Sequence, residues 1–267
     1  MQTSNAGLRL SGLVSSVALL IVAAGVHAAD PERPSPLKSG IEFASADVRS
    51  LQGDDFLNPG MLWVARGESL WRARDTQRQK ACGDCHGRAE ENMRGVAARY
   101  PAHDASSDRV VNLEQRINTC RTRHQGTAAW AYESEALLSL SAYVAHQSRG
   151  MPVDGSVPPA LKENFERGRQ RYQQRIGQMN LACVHCHQQN WGRTLLAQTI
   201  SQGHGNAYPA YRLEWQAAGS LQRRLRACFF GVRAEMPAYE AQELLDLEVY
   251  LAWRGRGLPI ESPGVRR

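Results

Sequence analysis

The sequence predicts a mainly α-helical chain made of two tandem halves related by an internal repeat, preceded by an N-terminal arm. Three observations carry that expectation. Cys82-Gly-Asp-Cys85-His86 in the first half returns as Cys183-Val-His-Cys186-His187 in the second. Each half closes on apolar residues at helical spacing, Leu137, Leu138, Leu140, Tyr143 and Val144 in one and Leu244, Leu245, Leu247, Tyr250 and Leu251 in the other. No long alternation of apolar and polar residues competes for a strand reading.

The front of the chain reads as an export signal. Residues 1–28 carry one charge, Arg9, with an apolar run from Leu13 to Val26 and Val-His-Ala before Ala29, so cleavage is expected after Ala28. That run is too short to span a bilayer, no second one follows, and no cysteine stands at the new N-terminus, so no membrane anchor is expected. Residues 29–60 have no counterpart in the second half. They are rich in proline and polar residues before Phe56-Leu-Asn58-Pro-Gly-Met61-Leu-Trp63, and read as an arm packed along the rest of the chain or against a partner. The 267 residues suggest one large or two small domains. A net charge of +6 suits an anionic small substrate or partner, but it is too modest and scattered for nucleic acid.

Exported proteins ordinarily place cysteines in disulfides. Here four of the six fall in the two CxxCH pentapeptides, the attachment pattern of c-type haem. Two residues between the thiols let both form thioethers along one edge of the porphyrin, and the next histidine is drawn under the iron. A redox dithiol or a zinc site could also use paired cysteines, but neither requires a histidine after each pair. Cys82, Cys85, Cys183 and Cys186 are therefore expected to hold two haem c groups covalently, with His86 and His187 as iron ligands.

The repeat extends beyond the motifs. Gly67 and Gly168 each stand 15 residues before the first motif cysteine, with Trp71 and Tyr172 four positions on. A glycine there lets a first helix cross a last helix closely. Leu140-x-x-Tyr143 matches Leu247-x-x-Tyr250, and the halves end on Arg-Gly-Met-Pro (149–152) and Arg-Gly-Leu-Pro (256–259). This arrangement resembles class I cytochrome c, where such a helix pair closes the fold beside the haem. Two class I cytochrome c-like domains are expected, residues 61–155 and 156–267.

The remaining cysteines follow the same repeat. Leu113-Glu-Gln-Arg116-Ile-Asn-Thr-Cys120 lines up with Leu221-Gln-Arg-Arg224-Leu-Arg-Ala-Cys228. Class I cytochromes take a distal methionine from this region; Met151 and Met236 are candidates, but neither has a partner in the other half. Cys120 and Cys228 are the expected sixth ligands, the alternative being a disulfide between them. His103, His124, His146 and His204 lack repeat equivalents, and His185, inside the second motif, is expected to be exposed. Cys228 lies in the stretch Leu221 to Met236, among Arg223, Arg224, Arg226 and Arg233. If that stretch is helical, Arg224 falls one turn before it on the same face, where a cation favours the reactive thiolate.

Two CxxCH motifs, the Asn58-Pro-Gly-Met61 segment, one further cysteine per half and the ending Leu247-Glu-Val-Tyr-Leu-Ala-Trp-Arg-Gly-Arg-Gly-Leu-Pro-Ile-Glu-Ser-Pro-Gly264 together resemble the SoxA family. These are dihaem cytochrome c subunits of the bacterial sulfur-oxidising (Sox) system. The resemblance implies a periplasmic L-cysteine S-thiosulfotransferase, joining thiosulfate oxidatively to a cysteine of a SoxY-type carrier protein and passing two electrons to haem. It also implies a heterodimer with a SoxX-type monohaem cytochrome c. By position, it makes Cys228 the active-site cysteine, able to carry a persulfide and to ligate the second haem. It makes Arg224 the substrate-binding arginine and Cys120 the distal ligand of the first haem. The chemistry is compatible: a dianion beside a thiolate needs cations, and joining two sulfur nucleophiles requires the removal of two electrons. A thiosulfate dehydrogenase forming tetrathionate and a dihaem electron carrier without a substrate are the alternatives.

Overall fold

Four helices begin where a short polar side chain can take up an unpaired backbone N–H. Ser45, Asn112, Ser134 and Ser220 stand in extended backbone and accept from Val48, Gln115, Leu137 and Arg223 respectively. The computed structural model describes residues 1–2, 32–74 and 79–267. The signal-peptide expectation, apart from residues 1 and 2, and the first residues of the arm lie outside the described residues.

Helices dominate. In chain order they are α1 (Ala46–Gly53), α2 (Met61–Arg72), α3 (Cys82–His86), α4 (Ala89–Asn92), α5 (Leu113–Cys120), α6 (Glu135–His146), α7 (Lys162–Gln173), α8 (Cys183–His187), α9 (Leu221–Gly231) and α10 (Gln242–Arg254). The strands are short. β1 (Ala102–Asp104) pairs antiparallel with β2 (Arg109–Val111), and β3 (Thr194–Leu195) with β4 (Gln198–Thr199). β5 (Ala210–Arg212) lies between β6 (Ala217–Gly219) and β7 (Gly264–Arg266), antiparallel to the first and parallel to the second. Within the stretch Leu221 to Met236 the helix runs to Gly231 and includes Arg224 and Cys228, and Arg233 takes a φ of +56°.

Two helix pairs carry the cores. α2 crosses α6 at Gly67, where a Cβ would lie 2.1 Å from the Ser139 carbonyl oxygen, and α7 crosses α10 at Gly168, where it would lie 2.0 Å from that of Asp246. No residue but glycine fits either crossing. The aromatic residue one turn on then meets the partner helix, Trp71 against Tyr143 at 6.0 Å between ring centroids and Tyr172 against Tyr250 at 5.1 Å. The Arg-Gly-x-Pro segments lie side by side: Pro152 bridges antiparallel to Pro259, and the Val153 N–H donates to the Leu258 carbonyl at 2.8 Å.

Pro31–Arg267 forms one compact unit, and the described part of the arm is tied into it. Gln202 accepts from the Lys38 N–H and donates to the Pro36 carbonyl, both at 2.8 Å. Asn58 donates to the Pro263 carbonyl at 2.9 Å, and Gln52 accepts the Val265 N–H at 2.9 Å. Further inside, a cavity of about 100 Å³ is lined by Glu114 of α5 and Glu248 of α10, with Tyr132 and Tyr208. Among the described residues, no helix is long and apolar enough to cross a membrane.

Candidate active site

α8 is a single turn whose start is held from within. The His185 ring folds back so that Nδ1 accepts the Ala182 N–H at 2.8 Å. His185, expected to be exposed, is therefore half-buried. His187 is fixed more firmly, with Nδ1 2.8 Å from the Ser201 carbonyl oxygen. Gly203, at φ +76°, packs so closely that a Cβ would come within 2.8 Å of the His187 ring. With Nδ1 donating to a carbonyl, Nε2 is the nitrogen left to face outward. His187 also acts on the Cys228 thiol.

Cys228 reaches that position because Ser220 caps α9 and sets its phase, which also puts Arg224 one turn earlier. Burial opposes ionisation of the Cys228 thiol. Arg224, His187 and Arg212 together outweigh it, bringing the thiol from 9.0 down to about 7. The nearby arginines are not equivalent. Arg223 pairs with Glu133 at 3.8 Å, Arg226 donates to the Pro237 carbonyl, and Arg233 is exposed. Among the described residues the Arg224 guanidinium has no hydrogen-bond or ion-pair partner, and its own pKa is raised chiefly by Cys228.

The first cluster uses the same parts in a different electrostatic setting. Asp84 caps α3 by accepting the Ala81 N–H at 2.9 Å, and the His86 ring centroid lies 5.8 Å from that of Trp71. Cys120, at the end of α5, interacts electrostatically with Cys82 and Cys85. Burial pushes the Cys120 thiol up; Arg116 and Arg123 pull it down, while Cys85 and Asp104 raise it further. Arg116 is engaged elsewhere: it donates to Asp104 Oδ1 at 2.9 Å and to the Tyr100 hydroxyl at 3.2 Å. Two cysteines that look alike in sequence are thus shifted in opposite directions.

One residue of this site was absent from the sequence candidates. Arg212, at the end of β5, is 5% exposed, donates to Glu214 Oε2 at 3.1 Å and stacks 5.0 Å from the Trp215 ring centroid. Its Nε is buried without a partner. The signal was present in the sequence: 16 residues before each cysteine stand Asp104 and Arg212, each three residues after a proline that follows a tyrosine, Tyr100-Pro101 and Tyr208-Pro209.

All six cysteines are free, so the alternative Cys120–Cys228 disulfide is not formed. Met236 is 44% exposed and Met151 packs on Gly95. His103 pairs with Asp108 at 2.9 Å. His204 is buried beside the second cluster, 3.2 Å from Gln202 Oε1; burial, reinforced by Arg254 and His187, lowers its pKa to about 3.

The second cluster fits a covalently held haem. Its donor set is two thiols on one turn, an imidazole with a fixed ring and an opposing thiol. Beside it, the Tyr172 hydroxyl and Arg254 Nε are buried without partners, although Arg254 lies 4.6 Å from the Tyr172 ring centroid and donates to Gln188 at 2.9 Å. Such donors suit the carboxylates of a porphyrin.

The family model of the SoxA/TsdA cytochrome c domain matches residues 66–153, so covalently bound haem c belongs to this chain. The chain is 39% identical over 230 residues to the L-cysteine S-thiosulfotransferase subunit SoxA of Pseudaminobacter salicylatoxidans, covering 86% of this chain and 80% of that protein. It is 37% identical over 240 residues to the subunit of the same name from Rhodovulum sulfidophilum, covering 90% and 83%. A chain in the crystal structure of SoxXA from P. pantotrophus aligns with a TM-score of 0.83 at 32% identity, over 86% of this chain and 87% of that one. With this identity over most of the length of its relatives, the chain belongs to the SoxA family of L-cysteine S-thiosulfotransferase subunits.

Proposed function

We propose that this chain is the haem-bearing catalytic subunit of a periplasmic L-cysteine S-thiosulfotransferase that conjugates thiosulfate to a cysteine of a SoxY-type carrier protein. The observation that carries the reading is Cys228 itself: a half-buried thiol lowered to about 7 beside Arg224, whose guanidinium makes no hydrogen bond or ion pair among the described residues. Near neutral pH a large share of that thiol is thiolate. Arg224 offers a planar pair of donors to an oxyanion, which suits the sulfonate end of thiosulfate. Ser201 and Gly203 hold the His187 ring beside this sulfur.

In the reaction, a sulfur–sulfur bond forms between thiosulfate and the carrier thiol, releasing one proton and two electrons. Haem c, when bound, supplies the electron acceptor. Residues 61–155 and 156–267 are read as two class I cytochrome c-like domains. Cys82, Cys85, His86 and Cys120 would hold one haem, and Cys183, Cys186, His187 and Cys228 the other. A SoxX-type monohaem cytochrome c is the expected partner; the relative solved as SoxXA supports this.

The test is thiosulfate oxidation by the holoprotein with and without a carrier ending in a cysteine. Carrier-dependent electron release, with a thiosulfonate adduct on the carrier by mass spectrometry, is the expected result. Tetrathionate formed at the same rate without carrier would instead identify a thiosulfate dehydrogenase, and no turnover in either case a pure electron carrier.

A further inference from the structure

We propose that Glu114 and Glu248, enclosed together between the two halves of the chain, form a proton-binding site linked to haem reduction, so that the pair takes up a proton as an electron enters the protein. This rests on the proposed function, and in particular on haem c being held in the first half. Its basis is the place of the pair in the internal repeat. Leu113-Glu114 at the start of α5 lines up with Leu221-Gln222 at the start of α9, and Leu140-Ser141 of α6 with Leu247-Glu248 of α10. Each half therefore carries one carboxyl where the other carries a neutral polar group. Glu114 meets Ser141 in the first half, and Gln222 meets Glu248 in the second.

The same repeat brings the two carboxyls to one enclosure. The cavity of about 100 Å³ that they line is walled by matching residues of both halves, Tyr100 with Tyr208 and Leu113 with Leu221. Both glutamates are buried, and among the described residues neither forms an ion pair. Asn112, the N-cap of α5, donates to Glu248 Oε1 at 3.2 Å and to the Tyr132 hydroxyl at 2.9 Å. Asn206 also lines the cavity, buried and with its Oδ1 unbonded. A polar space of this size holds roughly three waters, which give a proton a route to either carboxyl. The other ionisable groups facing the pair are Glu133, which Arg223 approaches at 3.8 Å, and the phenol of Tyr132, whose pKa burial raises. Among the described residues, no cation acts on either carboxyl.

Two acids in such an enclosure ionise with difficulty, and burial brings Glu114 to about 7 and Glu248 to about 8, close to neutral pH. Glu114 stands six residues before Cys120 on α5, a rise of about 9 Å. At about that separation and an effective dielectric of about 20, one unit charge changes a proton-binding constant roughly tenfold or more. Reduction adds one negative charge at the iron, so the proton affinity of the pair rises with it. Charge and atoms balance: one carboxylate becomes a carboxyl as one ferric haem becomes ferrous. Conjugation releases one proton and two electrons, and so supplies both. When the electron passes to the partner cytochrome, the carboxyl returns its proton. By linkage, the haem potential falls as pH rises through the range where the pair titrates, and is level on either side.

The experiment measures haem midpoint potentials of the haem-loaded full chain by spectroelectrochemistry, from about pH 5 to about pH 10. Wild type is compared with Glu114→Gln, which copies Gln222 of the other half, with Glu248→Gln, and with the double variant. In wild type at least one potential should fall by about 59 mV or more between its two plateaus, the equivalent of a tenfold change in proton affinity. Each single variant should narrow that range, and the double variant should be flat. Infrared difference spectra, reduced minus oxidised, should show a protonated-carboxyl band in wild type that the double variant lacks. Glu248→Ser, which copies Ser141, carries the test if the glutamine variants fail to fold. The carboxylates of the porphyrin also titrate, so a slope that survives unchanged in the variants would overturn the proposal. Flat potentials in wild type would overturn it as well. Two levels of failure are distinct. A chain that holds no covalent haem overturns the proposal together with the reading beneath it. A haem-loaded chain that conjugates thiosulfate with pH-independent potentials overturns the proton site alone.

Discussion

Replacing Glu248 by glutamine should remove a large part of the pH dependence of stability between acid and weakly basic solution, leaving the part that Glu114 supplies. Glu114 and Glu248 are 8% and 6% exposed and line the interior cavity. Burial raises Glu248 to about 8, helped by repulsion from Glu114 and only partly offset by hydrogen bonds from Gln222 and Asn112. Burial likewise raises Glu114 to about 7, helped by Glu133 and offset in part by its backbone and Ser141. Arg223 reaches Glu133 at 3.8 Å but pairs with neither of the two. A carboxyl with a raised folded pKa keeps its proton in the folded state after the unfolded chain has lost its own. Stability from the pair is therefore full below the unfolded value of 4.5, falls as pH rises toward 7 to 8, and levels off beyond. The Glu114 shift alone corresponds to about 3 kcal/mol, at ~1.4 kcal/mol per pH unit. The two shifts share their mutual repulsion and are not summed. Glu248→Gln removes one titrating group, leaves Glu114 raised by its own burial, and leaves Asn112 its acceptor, now 3.2 Å from Glu248 Oε1. Urea unfolding followed by circular dichroism from about pH 5 to about pH 9 reads the effect. The wild type should lose clearly more than the about 3 kcal/mol of Glu114 alone across that range, and the variant about that 3 kcal/mol. Parallel profiles would refute the argument.

Gly168→Ala should destabilise the fold by about 3 kcal/mol or more, because its methyl group would meet a backbone carbonyl, whereas Gly53→Ala, with nothing within 4 Å, should be tolerated; thermal unfolding of the two compares them directly. Arg224→Lys should lower kcat/KM for thiosulfate roughly tenfold or more, since a point charge cannot reproduce a planar fork, and steady-state kinetics measure it.

The sequence was most informative where structure is local. The CxxCH motifs become single-turn helices because their residues are contiguous. Gly67 and Gly168 mark helix crossings because no side chain fits there. The positions of Cys120 and Cys228 were equally legible. What separates them was not: Arg116 and Arg224 occupy the same offset, and their difference lies in Asp104 and Arg212, side chains brought near by strands rather than by the helix itself. His185 looked like a surface residue because its role is to accept a backbone N–H of its own turn. Glu114 and Glu248 sit among apolar helix positions and look solvent-facing until the packing of α5 and α10 encloses both.

The most direct measurement is conjugation of thiosulfate to the carrier by Cys228→Ala, with haem content checked by absorbance, beside Cys120→Ala. The thiol lowered to about 7 belongs to Cys228, whereas burial raises that of Cys120. Cys228→Ala is therefore expected to lose carrier conjugation to background. Cys120→Ala should alter the haem spectrum while keeping much of the rate. Wild-type conjugation by haem-loaded Cys228→Ala would contradict the account at its centre.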